Sequence, residues 1–467
     1  MGTLLLLASL PLLLLTSLAR AVSLEAELLR WVCDRGGGTS VRSGVRHDGV
    51  RGLFATCAAK PGDVLLEVPL ALTLCDAREV DPKWRRGLPW NVQLALAVCD
   101  HRAARTPVGE LFIGSWPASP PPLPMDCEAD ELALSCDRSL EVRAEEAFFW
   151  MHEAYWNARE AAEAAAESEA AFPTVEHFGW ALQQVWSRCL RISGEDGGKR
   201  RVLVPVLDLA NHAPVPSAMY ACASSARGQP AAVRLLAARA VQPGDEVTIT
   251  YGQHSSAHFA LYYGFVPRAN PFDEVRLPLR KLLAHLPPGL LDAPPSPKPS
   301  PEFRLRAAAP EPALVQHLAA LLPVDAGSPM PTALRAVGSA ARSLEAELAA
   351  AAARVQPPPP PLRPQTALLV ELREERRGLL RRLSARADGL ADELDRAAAA
   401  GVAAGAVAHA RVEAGLRDAA AGPAVYPELD ALSIEEMDSW ARRRWIWPEE
   451  GGDMSRSGRG RAGHYAS

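Results

Sequence analysis

The sequence predicts an α+β chain: a β-rich domain over 22–272, split by a helical insert at about 85–190, then an all-helical domain over 295–445. Three observations carry this. Short apolar and β-branched runs punctuated by Pro-Gly turns fill 40–75 and return over 201–270. Between them, residues 90–190 follow helical periodicity. Beyond about 272 the composition shifts: no aromatic residue stands between Phe303 and Tyr426, and proline-rich stretches (Pro287 to Pro301, Pro357 to Pro364) separate helical segments. Residues 1–21 read as a signal-like segment and 446–467 as a disordered tail.

The elements follow in order. His47-Asp48-Gly49 and Lys60-Pro61-Gly62-Asp63 are turns. Gly52 opens one strand, and Val64 to Pro69 is another, ended by its proline. Val92 to Val98 is apolar nearly all round and predicts a buried helix. Pro117 to Pro124 is a loop. Ala144 to Glu169 is a long Ala/Glu helix whose aromatics Phe148, Phe149, Trp150, Tyr155 and Trp156 are expected to pack in the insert's core. Thr174 caps a helix running through Trp186. Arg201 to Leu207 predicts one continuous buried strand, Ala231 to Ala240 a second, and Glu246 to Tyr251 a half-buried third. Gln242-Pro243-Gly244-Asp245 repeats the turn chemistry of residues 60–63. The last long helix runs from Thr366 to about Ala399, with Leu372, Leu379, Leu383, Leu390 and Leu394 on one face packed against neighbouring helices. Trp440, Trp445 and Trp447 are expected to dock the C-terminal segment onto the helical domain.

Composition excludes several classes. The 467 residues allow two or three domains. Lys and Arg number 50 against 55 Asp and Glu, a net charge of −5, so a nucleic-acid partner is not expected. A hydrophobic share of 48% is too high for a wholly disordered chain. The 8 cysteines include no C-x-x-C pair, which argues against a zinc knuckle and for buried thiols. Leu4 to Leu18 followed by Ala19-Arg20-Ala21 has the form of a signal h-region and cleavage site, too short to span a bilayer. It implies the secretory route, or a plastid reached through it, with cytoplasm or nucleus as the alternative. No later segment is long and apolar enough to cross a membrane.

Chemistry concentrates in four places. Val204-Pro205-Val206-Leu207-Asp208-Leu209-Ala210-Asn211-His212 runs an apolar strand into a polar pair. Gly244 to Gly252 ends in Thr250-Tyr251-Gly252, and Tyr262-Tyr263-Gly264-Phe265 follows. Upstream stands His47-Asp48-Gly49-Val50-Arg51-Gly52-Leu53. In this order they resemble the SET-domain methyltransferases, and more narrowly the branch that includes the Rubisco large-subunit lysine methyltransferase and the actin-histidine methyltransferase. Thr174 to Ala181 with Val185-Trp186-Ser187-Arg188 is similar to that branch's stretch before the Asn-His strand. The region beyond 295, with Leu369 to Glu375, is similar to its C-terminal substrate-binding domain.

The resemblance implies S-adenosyl-L-methionine as co-substrate, no metal, and a protein substrate bound partly by the C-terminal domain of a monomeric enzyme. It implies cofactor binding by Arg51, Gly52, Leu53, Arg188, Asp208, Asn211, His212 and Tyr251. Tyr251 and Tyr263 would be catalytic, and Tyr263 with Phe265 would line the substrate channel. The acceptor is read as lysine, with histidine as alternative. A SET protein that has lost its cofactor and acts as a binding module is the non-enzymatic alternative. Three positions depart from the family: Ser256 replaces the usual Asn after Ser255, the first loop reads Val50-Arg51-Gly52-Leu53 rather than Gly-x-Gly, and Pro124 to Cys127 lacks an aromatic. Gly194 to Lys199 resembles a phosphate loop but is one residue short, lacks the Ser or Thr, and carries two acids, so it reads as a hairpin turn. His254 and His258 stand four apart without a third ligand and read as partly exposed helix residues.

Overall fold

The computed structural model describes residues 24–76, 82–165, 172–193, 199–223, 231–286, 302–306, 309–322, 329–355 and 360–421. The signal-like segment, the 194–198 turn, most of the proline-rich stretches, the three C-terminal tryptophans and the tail expected to be disordered lie outside them. The chain divides into two compact units. The first holds the described residues up to Pro121 together with Phe149–Gln253. The second holds Pro122–Phe148 together with the described residues from His254 onward.

The first unit opens with α1 (24–33), whose Leu28 and Val32 are fully buried. Short strands follow: β1 (Gly38–Thr39), β2 (Val41–Val45), β3 (Arg51–Ala55), β4 (Val64–Pro69) and β5 (Leu74–Cys75). Later come β6 (Leu190–Ser193), β7 (Lys199–Leu203), β8 (Ala218–Ala223), β9 (Ala232–Ala237) and β10 (Glu246–Val247). They build three sheets, ordered β1-β4-β9-β8, β10-β3-β2 and β5-β7-β6, with antiparallel pairing throughout. The two Pro-Gly-Asp turns are copies of one device. In each, glycine takes a φ of +91°, which suits a residue without Cβ. In each, the Asp carboxylate accepts from the backbone N–H three residues back at 2.8 Å. Each turn then pairs across to a strand end, residues 62 and 63 to Ala237, residues 244 and 245 to Ala55.

The insert supplies α2 (Lys83–Arg86), α3 (Trp90–Ala103), α4 (Ala129–Leu132), α5 (Arg138–Ala164) and α6 (Val175–Arg188). Residues 91–98 of α3 are buried on every face, as their apolarity requires. Thr174 caps α6 by accepting from His177 N. α5 begins at Arg138, six residues before the expected start, because Asp137 caps it by accepting from Ser139 N at 3.1 Å. The expectation that the α5 aromatics form a core is corrected in part. Tyr155 is buried and donates to Pro173 O, but Phe149 is 68% and Trp156 56% exposed. The cysteines are likewise mixed: all eight are free thiols, Cys222 is buried and Cys57 is exposed.

Two strands are shorter than expected. β7 stops at Leu203, because Val206 takes a φ of +70° and Leu207 N donates to Pro205 O at 2.8 Å. This is a γ-turn at a buried β-branched residue, a strained geometry. It breaks the strand and starts a 3-10 turn, Leu207–Leu209. β10 ends at Val247. The segment after it is held instead by an isolated parallel bridge between His212 and Ile249.

The second unit carries α7 (Ser256–Tyr263), β11 (Glu274–Pro278), α8 (Leu279–Leu283), β12 (Glu302–Arg306), α9 (Pro312–Ala320), α10 (Pro329–Arg354), α11 (Pro364–Ala399) and α12 (Val402–Ala421). The C-terminal region is therefore mostly rather than wholly helical. β11 and β12 pair antiparallel, and Val275, Leu277 and Leu305 join its core. Their alternation with Arg276, Arg304 and Arg306 is a period-2 pattern hidden among helices. α12 was not expected as a separate helix; Gly401, at φ +121°, breaks the chain after α11. Leu379, Leu383, Leu390 and Leu394 of α11 are buried in this core, and Leu372 in a neighbouring cluster. Glu345 of α10 receives Arg377 and Arg381 of α11 at 3.0 and 2.6 Å.

Candidate functional site

In the first unit, the residues from Asp208 to His212 and the segment 246–251 meet the start of β3. Asn211 uses both amide hydrogens, donating to Arg51 O and to Glu246 Oε1, each at 2.7 Å. Its backbone carbonyl accepts from Ile249 N at 2.9 Å. The missing side chain of Gly52 makes this possible. A Cβ there would lie 2.8 Å from Asn211 Nδ2 and 2.9 Å from Glu246 Oε1. Sequence reasoning gave Gly52 the task of admitting a cofactor. The space it leaves is filled by the Asn211 amide and Glu246, so it orients Asn211. Leu53 is wholly buried within the sheet, so its side chain packs rather than faces a ligand.

His212 Nδ1 accepts from the backbone N–H of Tyr251 at 3.1 Å, which puts the proton of the neutral ring on Nε2. The two rings lie 5.4 Å apart. Tyr251 is not at a strand end. It stands after the parallel bridge, its hydroxyl donating to Ala210 O at 2.8 Å. Burial pushes the phenol well above its ordinary range, with Asp208 and Glu246 adding to the rise and Arg188 opposing it.

A buried charge cluster adjoins this pair. The Asp208 side chain, 1% exposed, accepts from Trp116 Nε1 at 2.9 Å, while Arg188 Nε stands 3.6 Å from the same oxygen. Burial raises the Asp208 carboxyl to about 6, against the pull of Arg188, the Trp116 hydrogen bond and Arg51. Arg188 lies over the Trp116 ring, its Cζ 5.5 Å from the centroid. Arg51 turns inward, pairing with Glu25 of α1 at 2.6 Å and donating to Ser115 O at 3.0 Å. Glu25 is 1% exposed, so the pair is desolvated on its acidic side. Glu25, Trp116 and Glu246 were missed from the sequence. Only Glu25 left a signal, as a carboxylate on an amphipathic helix that also carries the buried Leu28.

Tyr263 and Phe265 belong to the second unit. Gly264, at φ +74°, ends α7 and brings their rings to 6.4 Å, both against fully buried Phe259. His254 precedes α7 and stacks on His258 at 4.0 Å. Burial lowers the His258 ring well below the usual range, helped by His254 and Arg143. Ser255 caps α7, and Ser256 N donates to Asp273 Oδ1 at 2.8 Å. Among the described residues, no group of three or more His, Cys, Asp or Glu could hold a metal ion. None of the helices there is long and apolar enough to cross a membrane.

The SET-domain family profile matches residues 50–252, the span that holds Arg51, Arg188, Asp208, Asn211, His212 and Tyr251. Residues 50–252 are a SET domain. The solved structures similar to this chain include the SET domain of LSMT bound to lysine and AdoHcy, at 19% identity and a TM-score of 0.55, covering 81% of this chain and 93% of that one. Rubisco LSMT bound to sinefungin and monomethyllysine matches at 19% identity and a TM-score of 0.51, covering 80% and 92%. Rubisco LSMT bound to AdoMet matches at 18% identity and a TM-score of 0.51, covering 80% and 92%. No curated protein matches the sequence. The likeness over both units is one of fold: a SET domain of the Rubisco LSMT type with a mostly helical C-terminal region.

Proposed function

We propose that this chain is an S-adenosyl-L-methionine-dependent protein N-methyltransferase acting on a lysine side chain. The observation that carries the reading is the convergence of Asn211, His212, Tyr251, Asp208 and Arg188 in one polar cluster of a SET domain. The similar structures were solved with AdoMet, AdoHcy or sinefungin, and several with lysine or a methylated lysine.

The residues fit such a co-substrate. Arg188 Nε and Asp208 Oδ1 are buried without a hydrogen-bond partner. The co-substrate's only anionic group is its carboxylate, which suits the guanidinium of Arg188. Its cationic groups suit a site that also carries Asp208 and Glu246. Bound there, it would supply a methyl group on a sulfonium, which passes in line to a neutral nitrogen and leaves a neutral thioether.

The chain's own residues do the rest. Asn211 is fixed by three hydrogen bonds, so its remaining amide oxygen has one orientation. His212 is set by Tyr251 N. A lysine amine has a reference pKa of about 10.4 and must lose its proton before attack; an apolar surrounding favours that loss. Tyr251 is not the base. Its phenol stays protonated and donates to Ala210 O, which leaves its oxygen lone pairs to accept from and orient the incoming amine. The displaced proton leaves to solvent. Tyr263 and Phe265 keep, in this reading, the acceptor-side roles that the family resemblance implies.

The test is calorimetric titration of the full chain with S-adenosylmethionine, beside an Asn211→Ala/His212→Ala control. Saturable binding that the control loses supports the assignment. A folded wild-type chain that does not bind overturns it in favour of a binding module. The acceptor is read by mass spectrometry of methylated protein substrates: transfer confined to histidine overturns the lysine assignment.

A further inference from the structure

We infer that Trp116 is a positioning residue for Arg188, keeping that guanidinium available to the carboxylate of a bound ligand; the inference rests on the proposed function. A carboxylate and a guanidinium that meet freely form short N–H···O bonds of about 2.7–2.9 Å, often two in parallel. Arg188 and Asp208 do not. Their closest approach is 3.6 Å, and Arg188 Nε makes no hydrogen bond. The oxygen facing Arg188 is already taken by Trp116 Nε1 at 2.9 Å. The same indole lies against the guanidinium, at 5.5 Å from ring centroid to Cζ. A cation held over an aromatic face is held without being neutralised. Trp116 therefore acts twice: its N–H occupies the competing carboxylate, and its ring seats the arginine.

The indole is itself fixed. Phe112 packs edge-on at 5.1 Å and Trp180 lies at 6.1 Å. The carbonyl before it, Ser115 O, accepts from Arg51, and the carbonyl after it, Pro117 O, accepts from Trp180 Nε1 and Gln184 Nε2 at 3.2 and 3.3 Å. Ser115 to Pro117 is thus tied to β3 on one side and to α6, which carries Arg188, on the other. Without the indole N–H, Asp208 turns onto Arg188, closes the carboxylate–guanidinium pair and competes with the ligand's carboxylate.

The experiment uses the full chain and two ligands. S-adenosylmethionine carries the amino-acid end; 5′-methylthioadenosine shares the nucleoside and lacks that end. Trp116→Phe keeps a ring and removes the N–H. It is expected to weaken S-adenosylmethionine binding at least about tenfold while leaving methylthioadenosine within about twofold. Trp116→His keeps a ring N–H in the place of the indole N–H and is expected to lose less S-adenosylmethionine affinity than Trp116→Phe, which a merely structural role of Trp116 would not allow. Equal weakening of both ligands, no weakening of either, or a histidine variant as weak as the phenylalanine one overturns the inference. A wild-type chain that binds neither ligand overturns the proposed function, and the inference with it.

Discussion

Gly52→Ala tests the geometry that orients Asn211. The added methyl would stand 2.8 Å from Asn211 Nδ2 and 2.9 Å from Glu246 Oε1, where ordinary contact begins at 3.4 Å. Each partner must retreat by about half an ångström. Neither φ nor strand pairing at residue 52 forbids alanine, so the effect falls on these two side chains. Their mutual hydrogen bond, 2.7 Å long with a charged acceptor, is of a kind worth about 1.5–3 kcal/mol. Losing about 2 kcal/mol corresponds to about 30-fold in an equilibrium constant. If Glu246 is displaced, the loss appears as lower stability, about 4–8 °C in Tm for a unit of this size. If Asn211 swings away, it appears as weaker S-adenosylmethionine binding. Thermal unfolding and calorimetric titration of the same preparation separate the two. Removing the Glu246 side chain as well (Glu246→Ala) makes room for the methyl, so the double variant should lose less than the sum of the single ones. A Gly52→Ala chain with wild-type Tm and wild-type affinity would refute the reasoning.

Three further outcomes follow from the same cluster. On the proposed function, in which the phenol orients the acceptor, Tyr251→Phe should keep cofactor affinity within about twofold and lose at least about 100-fold in turnover; unchanged turnover in a methyl-transfer assay would remove Tyr251 from the reaction. Arg51→Ala strands the buried Glu25 carboxylate and should cost about 3–5 kcal/mol in denaturant unfolding, with Glu25→Gln in the same chain recovering part of it. Asp208, raised to about 6, holds a proton in the folded state that the unfolded chain releases near pH 4. Its contribution is therefore fully present below pH 4 and lost as pH rises to 6 and beyond, by about 3 kcal/mol. Asp208→Asn should flatten that part of the stability–pH curve, and an identical curve for variant and wild type would contradict the assignment.

Much of the local structure is legible in the sequence because its causes are local. The Thr174 cap, the all-apolar run of α3, the two Pro-Gly-Asp turns and the bounds of β4 each depend on residues within a few positions of one another. The leucine face of α11 is legible for the same reason, since a helix repeats its faces without reference to its neighbours. Where a long-range condition intervened, local reading failed. Arg201 to Leu207 has the composition of one strand, yet the γ-turn at Val206 breaks it to present Asp208. β11 and β12 needed each other to be recognised as strands.

The sequence by itself determined the fold family and the candidates: Arg188, Asp208, Asn211, His212 and Tyr251 stand in an order that resembles a SET domain, and the SET-domain match spans residues 50–252. Only the tertiary structure decided what each of them touches. Asn211 reaches Arg51 O across 160 positions, Trp116 reaches Asp208 across 92, and Arg51 reaches Glu25 across 26. No periodicity encodes such pairs. Packing selects them: each of these buried polar groups gives up water on folding and is held by whichever donor or acceptor the surrounding elements bring within reach.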